Sequence, residues 1–294
     1  MGGDLRVVVR CASRAEHPAC LDEAMAARER VEQLHGLATD WSPEGEVFRL
    51  NAAAGGDSVP VSADVEQMLR ASLRLAEATN GAFDPTINAL WGLWDFEAGR
   101  APTAEELGER LPLVDFRGLQ IGQGEARLAR VGMSVSLGGI AQGWAAAEAL
   151  ELVPGREAIV DVSGDIAARG TWTVGLQHPR RPRGELLATL VLVDAVLTTS
   201  GDYERFFDLD GQRMHHILDP RTGRPGRGAS SATVVSTDGA VADGLATALL
   251  VLGPDEGVVR SLAAWALVVD PSGVIHELGD RGGHVREVKV LATP

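Results

Sequence analysis

The chain is poor in sulfur, in aromatic rings and in positive charge. Its 294 residues include two cysteines, one tyrosine and 4% aromatics. Cys11 and Cys20 make no disulfide framework, and no Cys-x-x-Cys or Cys/His spacing suggests zinc. They read as ordinary thiols, and a sulfur-ligated metal is not expected. Lys and Arg number 27 against 41 Asp and Glu, a formal charge of −14. Nucleic-acid binding depends on basic side chains that displace counterions from phosphates, so nucleic acid is not an expected partner. No run reaches the roughly 18 to 20 apolar residues of a membrane span, so no transmembrane segment is expected. Residues 1–20 lack a basic start followed by an apolar block, which excludes a secretory signal within them. There is no internal repeat and no low-complexity tract.

Hydrophobic residues make up 45% of the chain, enough to bury the core of one large domain or two modest ones. Leu5–Arg10 reads as a strand and Leu21–Leu37 as a helix. Residues 40–60 read as loop. A second helix is expected over Ala63–Ala78, where Val65, Met68, Leu69, Leu73 and Ala76 recur at helical spacing. Glu97–Gly124, broken by prolines and glycines, reads as a surface excursion. Short β-rich runs follow at Met133–Leu137, Ala158–Val162, Trp172–Gln177, Leu187–Val193, Val196–Thr199, Arg213–Leu218 and Ala232–Ser236. Helices at Ala141–Leu152 and Ala242–Leu252 interrupt them. The order is neither βαβ alternation nor all-β, so the expected class is α+β with a mixed, largely antiparallel sheet and packed helices.

Four segments carry chemistry. Leu137–Gly143, LGGIAQG, lies between a strand and an alanine-rich helix. Gly138 and Gly139 let backbone approach a ligand, and the helix start offers unpaired N–H groups suited to phosphate; the plain alternative is a tight strand-to-helix turn. In Ser163-Gly164-Asp165 the carboxylate either meets a ligand or closes its own turn. Thr199-Ser200-Gly201-Asp202 sets hydroxyls beside a glycine, again as a phosphate site or a turn. His215 and His216 would point to opposite faces of a strand, and the Asp219–Gly223 turn behind them presents Arg221 or Thr222 to an anion. Last, Asp243 and Thr247 stand at i and i+4 of a helix. Oxygen ligands of this kind suit Mg²⁺, which shares phosphate oxygens; alternatively Asp243 faces the helix dipole and Thr247 packs in the core.

Taken in order, TNGAFDPT (Thr79–Thr86), SLGGIAQGW (Ser136–Trp144), SGDI (Ser163–Ile166), TSGDYERF (Thr199–Phe206), HHILDPRTGRP (His215–Pro225) and ADGLATAL (Ala242–Leu249) resemble the ApbE family of FAD:protein FMN transferases. The resemblance implies one ApbE-like catalytic domain over 1–294, with a T-fold-like core, a smaller second lobe and the excursion around 97–124. It implies binding of FAD and Mg²⁺, and transfer of FMN to a Thr or Ser hydroxyl of an acceptor flavoprotein subunit with release of AMP. By position, Asp243, Thr247 and the carbonyl of Ala141 would hold the metal, and His216 would help to deprotonate the acceptor. Met1, Trp41 (as a stacking ring), Ala82, Phe83, Asp84, Gly138, Gly139, Gln142, Asp165, Ser200, His216 and Thr222 would meet the dinucleotide. Three positions depart from the family pattern: Gln142 replaces lysine, Ser163 replaces the first glycine of GGD, and Gly45 stands where serine is usual. A FAD pyrophosphatase and a non-catalytic flavin-binding protein remain as alternatives. Family members are commonly exported, often as lipoproteins, though cytoplasmic ones exist.

Overall fold

A computed structural model describes residues 4–292; Met1 lies outside them. In chain order the helices are α1 (His17–Ala38), α2 (Glu46–Ala52), α3 (Ala63–Ala78), α4 (Ala104–Arg110), α5 (Ala141–Leu150), α6 (Gly239–Leu252) and α7 (Glu256–Ser261). The strands are β1 (Leu5–Val9), β2 (Val59–Pro60), β3 (Leu119–Ile121), β4 (Glu125–Leu128), β5 (Ala158–Val162), β6 (Asp165–Gln177), β7 (Leu186–Gly201), β8 (Phe206–Leu209), β9 (Gln212–His215), β10 (Leu218–Asp219), β11 (Arg224–Pro225), β12 (Ser231–Ser236), β13 (Trp265–Val269), β14 (Ile275–Gly279) and β15 (Val285–Val290).

The main sheet runs β1-β5-β6-β7-β12-β13-β14, with β15 added to β7. All its pairings are antiparallel, so the fold is α+β as the sequence pattern indicates. Alternation along each strand divides its side chains between two cores. Val160, Ala167, Val196, Val234 and Ala266 join the helices in one; Ile159, Ala168, Leu197, Val235 and Trp265 form the other, with Leu190, Leu192 and Val285. The second is closed because the outer halves of β6 and β7 shift register after Ala168 and carry β15 back with them. A third, smaller cluster gathers Leu90, Leu93, Trp94 and Leu107 against Phe207, Met214 and Leu218.

Local chemistry explains the helices. The α3 N-terminus is capped by the Ser62 hydroxyl, which accepts from Val65 N–H at 3.3 Å, and Asp64 and Glu66 lie in its first turn. Its Val65, Met68, Leu69, Leu75 and Ala76 are buried; a fully buried side chain of Leu or Met size contributes about 1.5–3 kcal/mol. On the surface, Arg30 of α1 donates to Asp64 of α3 at 2.6 and 2.8 Å and to Glu148 of α5 at 3.1 Å, which ties three helices together. Helix α6 is apolar on every side and largely buried; Asp243 is its lone charged residue.

Several expectations need correction. Residues 40–60 are not all loop: Glu46–Ala52 forms α2 and Val59–Pro60 a short strand. Gly45 precedes α2, and a Cβ there would stand 2.1 Å from the Thr39 carbonyl oxygen, so no serine fits this turn. Met133–Leu137 is not a ladder strand. The Asn51 side chain takes a partner strand's place, accepting from Val135 N–H at 2.7 Å and donating to its carbonyl at 2.9 Å. The two runs in 187–199 are one continuous strand, and Arg213–Leu218 is split between β9 and β10. Cys11 and Cys20 are not separate thiols but are joined in a disulfide, Cα atoms 6.4 Å apart, that links the loop after β1 to the first turn of α1.

The contact that fixes the helix layer is between glycines. A Cβ on Gly143 of α5 would lie 2.4 Å from the Gly239 carbonyl oxygen and 2.9 Å from Asp243 Cβ; a Cβ on Gly239 would lie 2.2 Å from the Gly143 oxygen. Helices α5 and α6 therefore cross backbone to backbone, which no other residue type permits at either position. Gly143→Ala is expected to push the two helices apart and to cost about 1–3 kcal/mol, the usual range for overpacking, measured as a lower midpoint in urea unfolding.

Candidate functional site

The crossing of α5 and α6 delivers Asp243 to the start of α5. Ile140, at the N-cap position of α5, supplies no side-chain cap, so the first N–H groups of the helix need another acceptor. Asp243 provides it: Oδ2 accepts from Gly143 N–H at 3.1 Å, and Gln142 N–H donates to the same carboxylate. A buried carboxylate from one helix thus caps another, beside Ala141 at its first position. One turn further along α6, Thr247 Oγ1 lies 3.3 Å from Ser200 Oγ of β7. Gly139 closes the other side, where a Cβ would be 3.0 Å from the Phe83 ring and 3.8 Å from Thr247 Oγ1.

The sheet contributes a row of side chains beneath these groups. Leu5 pairs with Val162 and Val162 with Asp165. Because Ile166 pairs with Leu197, Asp165 stands level with Thr198, which pairs with Val234. Asp165 and Asp243 are each 7% exposed, and among the described residues neither has an ion-pair partner. Burial pushes the Asp165 carboxyl well above its ordinary range, reinforced by the Asp243 and Asp161 charges, against a hydrogen bond from Thr199 N–H. Burial likewise pushes Asp243 up to about 7, opposed by the N–H groups of Gly143 and Gln142. Thr198 Oγ1, overlooked in the sequence, is buried beside Asp165 with no partner. Unpaired buried charge is expensive, and a divalent cation held by hard oxygens would relieve it. The donor set at this place, two carboxylates with the Thr247 hydroxyl and no sulfur or imidazole, fits Mg²⁺ rather than zinc.

Other expected positions fall around this centre. Both Asp84 oxygens are engaged: Oδ1 accepts from Thr86 N–H at 2.8 Å and its hydroxyl at 2.6 Å, and Oδ2 accepts from Phe116 N–H at 3.0 Å. Asp84 therefore builds, through its carboxylate, the loop that places Ala82 and Phe83. The Trp41 ring is 70% exposed, and its centroid lies 6.2 Å from that of His35. His35 lines a cleft of about 420 Å³ with Asp4, Leu5, Arg28, Val31, Glu32, Val162 and Ser163. This cleft opens at the end of the row that leads to Asp165. Ser163 has φ +58° and Gly164 φ +102°, a tight hairpin turn in which serine occupies a backbone region that favours glycine.

His216 and Thr222 lie on a separate segment. His215 ends β9 and turns inward, its Nε2 2.8 Å from the Gly226 carbonyl; the structure assigns it to the core, with its Nδ1 buried and unpartnered. His216 follows the strand, and its Nδ1 lies 3.4 Å from the Arg205 carbonyl. Burial pushes the His216 ring down to about 4, so it is neutral at pH 7. Thr222 sits exposed in the Asp219–Gly223 turn, with Gly223 N–H donating to the Asp219 carbonyl at 2.7 Å. Arg221 is bound to the Asp219 carboxylate at 2.8 and 2.9 Å and is not the free cation of that turn. Among the described residues no hydrogen bond joins this segment to Asp243.

The fold is thus an antiparallel α+β architecture with two buried carboxylates, Asp165 and Asp243, beside the glycine turn that opens α5. The chain belongs to the ApbE family, whose pattern it matches over residues 1–264. It is 32% identical to an FAD:protein FMN transferase of Klebsiella pneumoniae (strain 342) over 246 residues, 80% of this chain and 78% of the relative. To the FAD:protein FMN transferase of Treponema pallidum (strain Nichols) it is 34% identical over 267 residues, 81% of this chain and 73% of the relative. The crystal structure of the ApbE protein of Thermotoga maritima superposes with TM-score 0.86 at 30% identity, covering 97% of each chain. The flavin transferase ApbE of Vibrio cholerae gives 0.80 at 25%, over 97% of this chain and 96% of its own.

The raised Asp243 has a consequence for stability. An aspartate whose pKa rises on folding weakens the native state as pH climbs from its ordinary value of 3.8 to about 7, because the unfolded chain gives up that proton more readily. Above pH 7 the penalty is complete. Without metal, Asp243→Asn is therefore expected to melt several degrees above the parent protein at pH 8, the gap closing toward pH 4. Added Mg²⁺ is expected to raise the parent and not the variant. Calorimetry across this range reads both.

Proposed function

We propose that the protein transfers FMN from FAD to a Thr or Ser hydroxyl of an acceptor flavoprotein, with Mg²⁺ held at Asp243, Thr247 and the Ala141 carbonyl. The observation that carries the reading is the buried Asp165–Asp243 pair beside the N-terminus of α5, which has backbone N–H donors but no ion-pair partner among the described residues and so calls for a cation. When bound, Mg²⁺ would neutralise charge on the pyrophosphate as the bond to AMP breaks. The chain's own groups supply the rest. Gly138 and Gly139 admit the phosphates close to backbone, and Ser200 and Gln142 border them. The cleft of about 420 Å³ lined by His35, Val31 and Ser163, with Trp41 beside His35, would take a ring system, and Phe83 packs on the Gly139 side.

His216 would take the proton of the acceptor hydroxyl. With Nδ1 directed at the Arg205 carbonyl, the proton of the neutral ring sits on Nδ1 and Nε2 is the free base. Depressed basicity keeps the ring unprotonated at neutral pH, and in-line attack then depends mainly on positioning. Thr222, in the next turn, would border the acceptor or the nucleotide. In this reading the main body and the small Leu90–Trp94–Leu107 cluster are lobes of one catalytic unit.

The test is FAD with Mg²⁺, with and without an acceptor flavoprotein domain. AMP is expected only when acceptor is present, together with covalent flavin fluorescence on the acceptor in a denaturing gel. AMP without acceptor would mark a hydrolase, and no AMP in either case a flavin-binding protein. Asp243→Ala is expected to lower AMP release by about a hundredfold or more, since losing even an outer partner of a metal ligand costs roughly 10–100-fold, with a retained circular dichroism spectrum.

A further inference from the structure

Beyond the groups assigned above, one buried carboxylate is tied to both halves of the site and is used by neither. Asp202 lies two residues after Ser200 and is 8% exposed. Its Oδ1 and Oδ2 accept from the Arg180 guanidinium at 2.6 and 2.8 Å, a two-pronged pair, and Oδ1 lies 3.4 Å from Arg213 Nη1. Arg180 also donates to Ser230 Oγ at 2.6 Å, and Asp202 N–H donates to the Ser230 carbonyl at 3.1 Å. Asp202 is thus fastened to the start of β12 and to the β6–β7 connection.

Two routes run from there to His216. Arg213 is on β9, three residues before His216, with its guanidinium over the Phe206 ring at 4.0 Å. The other route is the turn that follows Asp202. Tyr203 folds over Gly201, where a Cβ would be 2.2 Å from its ring, and its hydroxyl is hydrogen-bonded to Ser231. The turn then presents the Arg205 carbonyl, which accepts His216 N–H at 3.1 Å and stands 3.4 Å from His216 Nδ1. A single carbonyl therefore meets both the backbone and the ring of His216, and it lies three residues after the fastened Asp202.

The geometry points to Asp202 as the positioning residue of the transfer reaction, holding His216 through the Arg205 turn and Arg213 so that its proton stays on Nδ1 and Nε2 faces outward as the base. This rests on the assignment of His216 above. Asp202 touches no substrate in this account; it acts through the ring it orients. A salt bridge that served stability alone would leave the tautomer of His216 indifferent to its loss.

The experiment compares the parent protein with Asp202→Asn by long-range ¹⁵N–¹H correlation of the His216 ring at pH 7.5, alongside steady-state transfer kinetics. The parent is expected to show one neutral tautomer with the proton on Nδ1, and the variant a mixture. For the variant, kcat for FMN transfer is expected to fall about tenfold, within the range that small misplacements of a reacting group produce, while KM for FAD stays within about twofold. If Asp202→Asn does not fold, Arg180→Lys, which replaces the two-pronged contact with a single point, is expected to shift tautomer and kcat the same way by less. An unchanged tautomer, or an unchanged kcat, in whichever variant folds overturns the proposal, even if its melting temperature drops. His216→Ala separates the two levels: undiminished transfer there rejects His216 as the base, whereas the tautomer measurement reads the Asp202 linkage whether or not the protein turns over.

Discussion

The structure turns on one contact, the Asp243 carboxylate against the N–H groups of Gln142 and Gly143. It places a carboxylate at the one point where an uncapped helix start, a glycine turn and the middle of the main sheet meet. Helix α6 is otherwise apolar and largely buried, so no basic side chain of its own helix stabilises that charge. Two N–H donors recover part of the cost, and Asp165 across the row adds to it. The remaining imbalance is the physical case for a cation. The glycine pair Gly143 and Gly239 makes the arrangement possible, since any side chain at their crossing would lift the carboxylate off the helix start.

Around that centre the fold divides the work. The end of the main sheet, from Leu5 through Val162 and Asp165 to Thr198, carries the cleft beside Trp41 at one extreme and the buried carboxylates in the middle. Strands β8 to β11 bring a second group of residues, including His216, which is set by the carbonyl of Arg205 rather than by the sheet ladder. Joining the two parts is Asp202, whose ion pairs reach the β6–β7 connection and β9 at once. Asp84 shows the opposite case. It lies in a motif that suggests ligand binding, and its oxygens shape the loop beneath Phe83.

Much of this was legible in the sequence. Helix α3 and strand β5 fall where periodicity and β-branched runs put them, with matching ends. The Asp243–Thr247 spacing identified a polar face on an apolar helix. Other features could not be read locally. The Met133–Leu137 run looks like a strand because it alternates, but its central residue Val135 is paired by the Asn51 side chain from 84 residues away. The 187–199 region looks broken because Asp194 interrupts its apolar run, yet the strand continues through it with positive φ at that residue. Thr198 and Asp202 have no local signal that separates them from turn and strand residues; their roles come from burial and from partners on distant strands. The Cys11–Cys20 link was missed because spacing alone does not say which way two cysteines face.

The proposed reaction depends on whether the oxygens of Asp243 and Thr247 hold a hard divalent ion at the start of α5. Anomalous diffraction from crystals grown with Mn²⁺ in place of Mg²⁺, in the presence of FAD, tests it most directly. One strong peak is expected at about 2.0–2.2 Å from Asp243 Oδ1 and Thr247 Oγ1. A peak elsewhere on the molecule, or FAD bound with no peak at this position, would contradict it.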